Sequence, residues 1–113
     1  MYARIARFEG GSPETIQRET ERLRHDLAAV RAGQATEPML TALSRVVDRV
    51  LMLVDRENAT TTTIIFSETR EKLLEADRLL QEMSPQGGYG RRAARDLFEV
   101  AVDESPQAQK KAA

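Results

Sequence analysis

The chain has 113 residues, of which 41% are apolar and 31% charged, and it carries a formal net charge of −1. This length suits one domain with a single core, and the interspersed charges argue against a general nucleic-acid binder. The sequence has no Cys, no run of 18 apolar residues and no basic start followed by an apolar stretch. We therefore expect a cytoplasmic protein without disulfides, membrane span or signal peptide.

The first predicted elements are a strand and a helix. Tyr2 to Glu9 (YARIARFE) alternates loosely, contains aromatic and β-branched residues, and ends at two glycines, which is typical of a strand. Ser12, Pro13 and Glu14 then have the properties of a helix cap, a first-turn proline and a first-turn acid. The helix is predicted to end at Gly33. Its apolar stripe recurs at steps of three and four residues: Ile16, Thr20, Leu23, Leu27 and Val30.

A hairpin is predicted in the middle of the chain. It is preceded by Gln34 to Ser44, which indicates a short helix or a turn-rich connection. The stretch RVLMLVDRENATTTTIIF then predicts a strand from about Asp48 to Val54, a polar turn at Arg56 to Ala59 and a strand from about Thr61 to Phe66.

A second helix and a fourth strand complete the predicted domain. Thr69 caps the helix, which ends at Ser84 to Gly88, and its apolar stripe consists of Leu73, Ala76, Leu80 and Met83. Leu97 to Val102 is predicted as the fourth strand. We assign residues 1–104 to the domain and expect the polar tail, residues 105–113, to be disordered.

The order β-α-β-β-α-β predicts an α+β fold of the ferredoxin-like type, a four-stranded antiparallel sheet with two helices on one face. The second strand is apolar at Val50, Met52 and Val54 but also at Leu51 and Leu53. Helices cover only one face, and each large apolar side chain contributes roughly 1.5 to 3 kcal/mol when buried. We therefore expect a homodimer that pairs through the open face of the sheet and closes a dimeric α/β barrel.

Three segments, YARIARFEG, VLMLVDRENATTTTIIFSETREKLLEADRLL and DLFEVAV, resemble the antibiotic biosynthesis monooxygenase-like family of the dimeric α/β-barrel superfamily. The resemblance covers most of the chain, except a longer connection between Gly33 and Val46. Its most specific parts are VDRE and FSET, which follow the second and third strands. The resemblance implies relatives that include cofactor-free oxygenases of aromatic polyketides and haem-degrading enzymes, both acting between the helices and the barrel wall.

The characteristic residues of those enzymes are not matched in this chain. Their first-strand Asn falls on Ala6, and their Trp falls on Ser67 in a chain without Trp. No His lies between Leu73 and Met83, where haem-degrading relatives have an axial ligand. The single His, His25, lies opposite the apolar stripe of the first helix and should face solvent. We therefore predict no catalytic residue, no metal site and no cofactor.

Side chains alternate between the two faces of the first strand. Ala3 and Ile5 share one face, and this face suits contact with the helices better than the other. The other face would then point into the barrel, together with hydroxyls of the third strand. This wall suits a small aromatic or anionic molecule, and its predicted ligand-binding residues are Tyr2, Arg4, Phe8, Thr61, Thr63 and Ser67. The alternative is packing in the dimer core, with Arg4 ion-paired across the interface.

A second candidate site is the segment GGYGRR, which we predict to be a loop before the fourth strand. Its backbone amides and the guanidinium groups of Arg91 and Arg92 suit a phosphate or a carboxylate. The segment follows a helix and precedes a strand, the reverse of phosphate-binding glycine loops, so a flexible connector is the alternative.

The residues of these candidate sites favour ligand binding over catalysis. RNA-recognition domains share this element order, but TTTTIIF lacks the aromatic residues that stack bases, so we expect no nucleic-acid partner. We predict a dimer that binds a small aromatic or anionic molecule in the barrel. The alternative is a cofactor-independent monooxygenase acting on an aromatic polyketide or a quinone-like substrate, although no general base is predicted beside Tyr2 and Arg4.

Overall fold

The structure is a computed structural model, and it describes residues 1–34, 37–82 and 89–107. Within these ranges the elements are β1 (Tyr2–Gly10), α1 (Pro13–Arg31), α2 (Pro38–Ser44), β2 (Arg49–Asp55), β3 (Thr60–Ser67), α3 (Arg70–Glu82) and β4 (Gly90–Glu99). The predicted order of strands and helices is confirmed, and the connection before β2 contains the short helix α2. No helix within this part of the chain is long and apolar enough to cross a membrane.

The four strands form one sheet in the order β2-β3-β1-β4, and every neighbouring pair is antiparallel. This is the ferredoxin-like arrangement that the sequence predicts. The register places Arg4 of β1 between Ile65 of β3 and Leu97 of β4, with Val50 of β2 beyond Ile65. Residues in such a row share one face of the sheet.

The core lies between this face and the helices. Ile65, Leu73 and Ala76 are buried together, and partly buried apolar residues pack around them: Tyr2, Leu43, Val46, Val47, Val50, Leu80 and Leu97. The helices therefore cover the face that carries Tyr2 and Arg4. The expectation that Ala3 and Ile5 would face the helices is wrong, because α3 supplies a buried partner for Arg4 and α2 packs near Tyr2.

Helix α1 begins as predicted. Ser12 is its N-cap, and the Ser12 hydroxyl accepts a hydrogen bond from the backbone N–H of Thr15 at 3.2 Å. The Thr15 hydroxyl accepts one from the backbone N–H of Ser12, which completes a capping box. Ile16 of the predicted stripe is buried, whereas Leu23 and Leu27 are only half-buried. Towards its C-terminal half, α1 therefore leaves apolar surface uncovered.

The fourth strand begins earlier than predicted. It runs from Gly90 to Glu99 instead of from Leu97 to Val102, because the long β1 pairs with it as far as Gly10. Arg91 and Arg92 consequently lie in a strand and not in a loop. The predicted end of the second helix, residues 84–88, lies outside the described residues, as do Met83 of its predicted stripe and residues 108–113 of the predicted tail. Residues 101–107 are exposed, including Val102 at 78%.

Two glycines face each other where β1 and β4 meet. Substituting them should lower the free energy of unfolding by different amounts. Gly10 and Gly90 both have positive φ, at 84° and 90°. A Cβ on Gly90 would lie 2.0 Å from the carbonyl oxygen of Glu9, whereas one on Gly10 would meet nothing within 4 Å. Gly10→Ala should cost about 1 to 2 kcal/mol of unfolding free energy. Gly90→Ala should cost more, because the strand ends must also separate.

Urea denaturation of the two variants measures this difference. Gly10→Ala is the matched control, since it introduces the same methyl group on the same pair of strands with a similar φ. Equal losses of stability in both variants would contradict the close approach of Gly90 to Glu9.

Candidate functional site

A buried ion pair lies between β1 and α3. The Arg4 side chain is only 4% exposed, and its Nε donates a hydrogen bond to Oδ1 of Asp77 at 2.8 Å. Gln81, one helical turn after Asp77, donates to Oδ2 of Asp77 at 2.8 Å. Arg95 of β4 brings its Nε to 3.3 Å from Oδ1 of Asp77. Two guanidinium groups thus share one buried carboxylate.

Positive charge exceeds negative charge at this point. Arg92 lies close enough to act electrostatically on Arg4, and it forms no ion pair within the described part of the chain. We call Arg4, Arg92 and Arg95 the arginine cluster. Burial lowers the pKa of Arg4, Asp77 opposes that change, and the charges of Arg92 and Arg95 lower the pKa further. An additional anion would relieve this repulsion.

The guanidinium of Arg4 retains hydrogen-bonding capacity. Only its Nε has a hydrogen-bond partner among the described residues, which leaves the two terminal nitrogens without one. A guanidinium offers five N–H donors in a planar fork that matches a carboxylate or a phosphate. Arg4 therefore combines a fixed position with donors available to a ligand.

Aromatic surface continues from the arginine cluster along the same face. Phe8 lies opposite Arg92 in the register, and its ring centroid is 5.9 Å from that of Tyr89, with the rings tilted by 46°. Burial, reinforced by the charge of Glu19 on α1, raises the pKa of Tyr89 to about 12. Tyr89 therefore stays neutral at physiological pH and adds an apolar ring with one hydroxyl.

The structure places the six predicted ligand-binding residues in three pairs. Tyr2 and Ser67 oppose each other in the packed end of the sheet, where the Ser67 hydroxyl donates to the carbonyl oxygen of Val46. Arg4 and Phe8 lie at the arginine cluster and the aromatic pair. Thr61 and Thr63 stand on the helix-facing side of β3, opposite Phe8 and Ala6.

Thr61 differs from the other hydroxyl residues on this face. It is fully buried, and its Oγ1 has no hydrogen-bond partner within the described residues. A buried hydroxyl without a partner is costly, so such groups are uncommon in native proteins. Thr61 pairs with Phe8 in the register, which places this polar atom near the aromatic end of the site.

A separate groove of about 250 Å³ lies between α1 and β2. Its lining residues are Thr20, Leu23, Arg24, Leu27, Val50 and Met52. The Thr20 hydroxyl donates to the carbonyl oxygen of Ile16 at 2.7 Å and lies 3.4 Å from the sulfur of Met52. The groove is therefore largely apolar, and one exposed arginine, Arg24, is among its lining residues.

The open face of the sheet carries exposed apolar side chains. Leu53 is 52% exposed and Phe98 is 50% exposed. Between these two edge strands, Ile64 of β3 stands beside Ile5 of β1 on the same face. The guanidinium carbon of Arg49 lies 5.8 Å from the centre of the Phe66 ring. The predicted open apolar face is thus present on the single chain.

Asp77 and Arg95 were not predicted from the sequence. The available signal was helical phase, because Asp77 follows Ala76 and comes four residues after Leu73, inside the apolar stripe of α3. A charged residue in such a stripe needs a buried partner. Arg95 precedes the predicted fourth strand, which was expected to begin at Leu97, so its place beside β1 could not be recognised.

The remaining predicted positions have simple surroundings. Arg91 points to the opposite face from Arg92, and its guanidinium lies 3.5 Å from a carboxylate oxygen of Glu9. His25 faces solvent as predicted, with 85% of its side chain exposed. Within the described ranges, no group of three or more His, Asp or Glu side chains is placed to hold a metal ion.

Comparison with protein-family models, with curated proteins and with solved structures found no match to this chain. The antibiotic biosynthesis monooxygenase-like family therefore stays a prediction from the residues quoted above. The assignment of a function must rest on the arginine cluster, the aromatic pair and the open sheet face.

Proposed function

We propose that this chain forms a homodimer that binds a small aromatic or anionic molecule between the sheet and the helices. The observation that carries this proposal is Arg4, a buried guanidinium beside two further arginines and one carboxylate, whose two terminal nitrogens have no hydrogen-bond partner in the part of the chain that the structure describes. Charge-assisted hydrogen bonds to a carboxylate or phosphate are stronger than neutral ones. The neighbouring rings of Phe8 and Tyr89 favour a ligand that is also aromatic.

The homodimer is supported by the open face of the sheet. Leu53 and Phe98 are half exposed there, while the helices occupy the other face. A second copy of the same apolar face is the simplest cover, and two-fold pairing of one patch with itself is the commonest form of oligomer.

The monooxygenase alternative gains no support from the buried carboxylate. Asp77 accepts from Arg4 and Gln81 and lies within ion-pair distance of Arg95. Both oxygens of this carboxylate accept hydrogen bonds from protein side chains, Oδ1 from Arg4 and Oδ2 from Gln81, so the carboxylate serves to hold these side chains in place. We therefore propose binding and not catalysis.

Benzoate is a suitable first probe, because it combines a ring with one carboxylate. We expect it to raise the melting temperature, since a ligand at ten times its Kd stabilises the folded state by about 1.4 kcal/mol. Benzamide, which has the same shape without the charge, should stabilise the protein less. Arg92→Gln should reduce the shift with benzoate, because it removes one positive charge while leaving the Arg4–Asp77 pair in place.

Arg91→Gln is the matched control for Arg92→Gln. It removes the same charge from the adjacent residue of β4, on the opposite face and beside Glu9. The control variant should show the same benzoate shift as the unmodified chain. Equal shifts with benzoate and benzamide, or equal losses in both variants, would refute the anion site.

A further inference from the structure

The groove between α1 and β2 is lined mainly by apolar side chains. Four of its lining residues are apolar and only half-buried: Leu23, Leu27, Val50 and Met52. Apolar surface that a ligand covers contributes roughly 25 cal/mol per Å². Met also adapts its shape readily, which suits a site for a flexible chain. The groove is therefore able to take up a hydrocarbon segment.

Arg24 supplies the polar end of this groove. It belongs to the same helix face as Thr20 and Leu27, at steps of four and three residues. Arg18 and Arg22 of α1 have acidic neighbours, Glu19 and Asp26, each at 4.0 Å. Arg24 has no acidic partner within the described ranges of the chain. Its guanidinium is thus available at the edge of an apolar surface.

We propose that this groove binds a small amphipathic monocarboxylate, with its hydrocarbon chain along Leu23, Leu27 and Met52 and its carboxylate on Arg24. A bidentate pair between guanidinium and carboxylate fixes the polar end. A volume of about 250 Å³ lies just below the usual range for ligand pockets, so the chain must be short. This site lies on the β2 side of the fold and is independent of the arginine cluster.

Charge complementarity selects the carboxylate over other occupants. A fully apolar chain would leave the guanidinium of Arg24 without a partner, and a cationic amphiphile would be repelled by it. A phosphate monoester carries up to two negative charges and several acceptor oxygens, whereas the described residues that line the groove include only one cationic side chain. One guanidinium and one apolar wall match one carboxylate and one alkyl chain.

Octanoate titration followed by methyl NMR tests the proposal on the full chain. We expect octanoate to shift the methyl signals of Leu23, Leu27 and Met52 in a saturable manner. Arg24→Gln should weaken octanoate binding about tenfold, the effect of one exposed charge-assisted contact. The same variant should leave binding of the uncharged 1-octanol unchanged.

Arg18→Gln is the matched control, because Arg18 lies on the same helix but does not line the groove. It should bind octanoate as tightly as the unmodified chain. The proposal is overturned if octanoate causes no saturable shift, or if it binds Arg24→Gln equally well. Shifts centred on Leu53 and Phe98 would also overturn it, since they would place the alkyl chain on the open face of the sheet.

Discussion

Asp77→Ala is expected to lower the free energy of unfolding by about 3 to 5 kcal/mol, the usual cost of removing one partner of a buried ion pair. The cost is large because Arg4 would remain buried beside Arg92 and Arg95 without its carboxylate. Urea denaturation at fixed protein concentration, monitored by circular dichroism, measures the change. Arg4→Met combined with Asp77→Leu should recover part of the loss, since apolar residues of similar volume can replace a buried pair.

Glu75→Ala is the control for this experiment. Glu75 lies on the same helix, two residues before Asp77, and its carboxylate contacts Arg78 at 2.6 Å on the exposed surface. Water screens such a pair, so the urea midpoint should hardly move. A loss no larger in Asp77→Ala than in Glu75→Ala would show that the buried pair does not hold α3 on the sheet.

Leu53→Lys is expected to dissociate the proposed homodimer. Burial of a large apolar side chain contributes roughly 1.5 to 3 kcal/mol, and two-fold symmetry places the substitution in the interface twice. The dimer Kd should therefore rise by about a hundredfold to ten-thousandfold. Because Leu53 is already 52% exposed on the single chain, the fold should tolerate lysine there. Sedimentation velocity over a range of concentrations measures the dissociation.

Leu74→Lys provides the comparison, since Leu74 is also an exposed leucine, at 40%, but lies on α3 away from the open sheet face. It should remain a dimer. A folded monomer of the unmodified chain at micromolar concentration would refute the homodimer altogether. Dissociation by both lysine variants would show that the open sheet face is not the specific interface.

The elements with strong periodicity were predictable from sequence. Helix α1 has a proline, a cap and a regular stripe, and the β2–β3 hairpin has two apolar runs around a polar turn, so local signals agree with the fold. The start of β4 was not predictable. Its sequence GRRAARDLFE begins without β-branched or large apolar residues, and its strand conformation comes from pairing with β1, a contact distant in sequence.

The candidate site was predictable only in part. Strand alternation correctly placed Arg4 and Phe8 on one face, together with Thr61 and Thr63 across the register. It could not say which face the helices cover, because polarity favoured the small and apolar Ala3 and Ile5 for that side. The deciding residue was Asp77, whose position inside an apolar helix stripe makes Arg4 a buried residue.

The pairing of β1 with both β3 and β4 also has a consequence for the order of folding. The β2–β3 hairpin joins neighbouring segments through a short turn and can form early, whereas β1 and β4 lie near opposite ends of the chain. Loop closure over such a distance is slow, so the sheet is completed late. Until then the hairpin exposes apolar residues on both of its faces. A growing chain is thus most vulnerable to aggregation before β1 docks against β3.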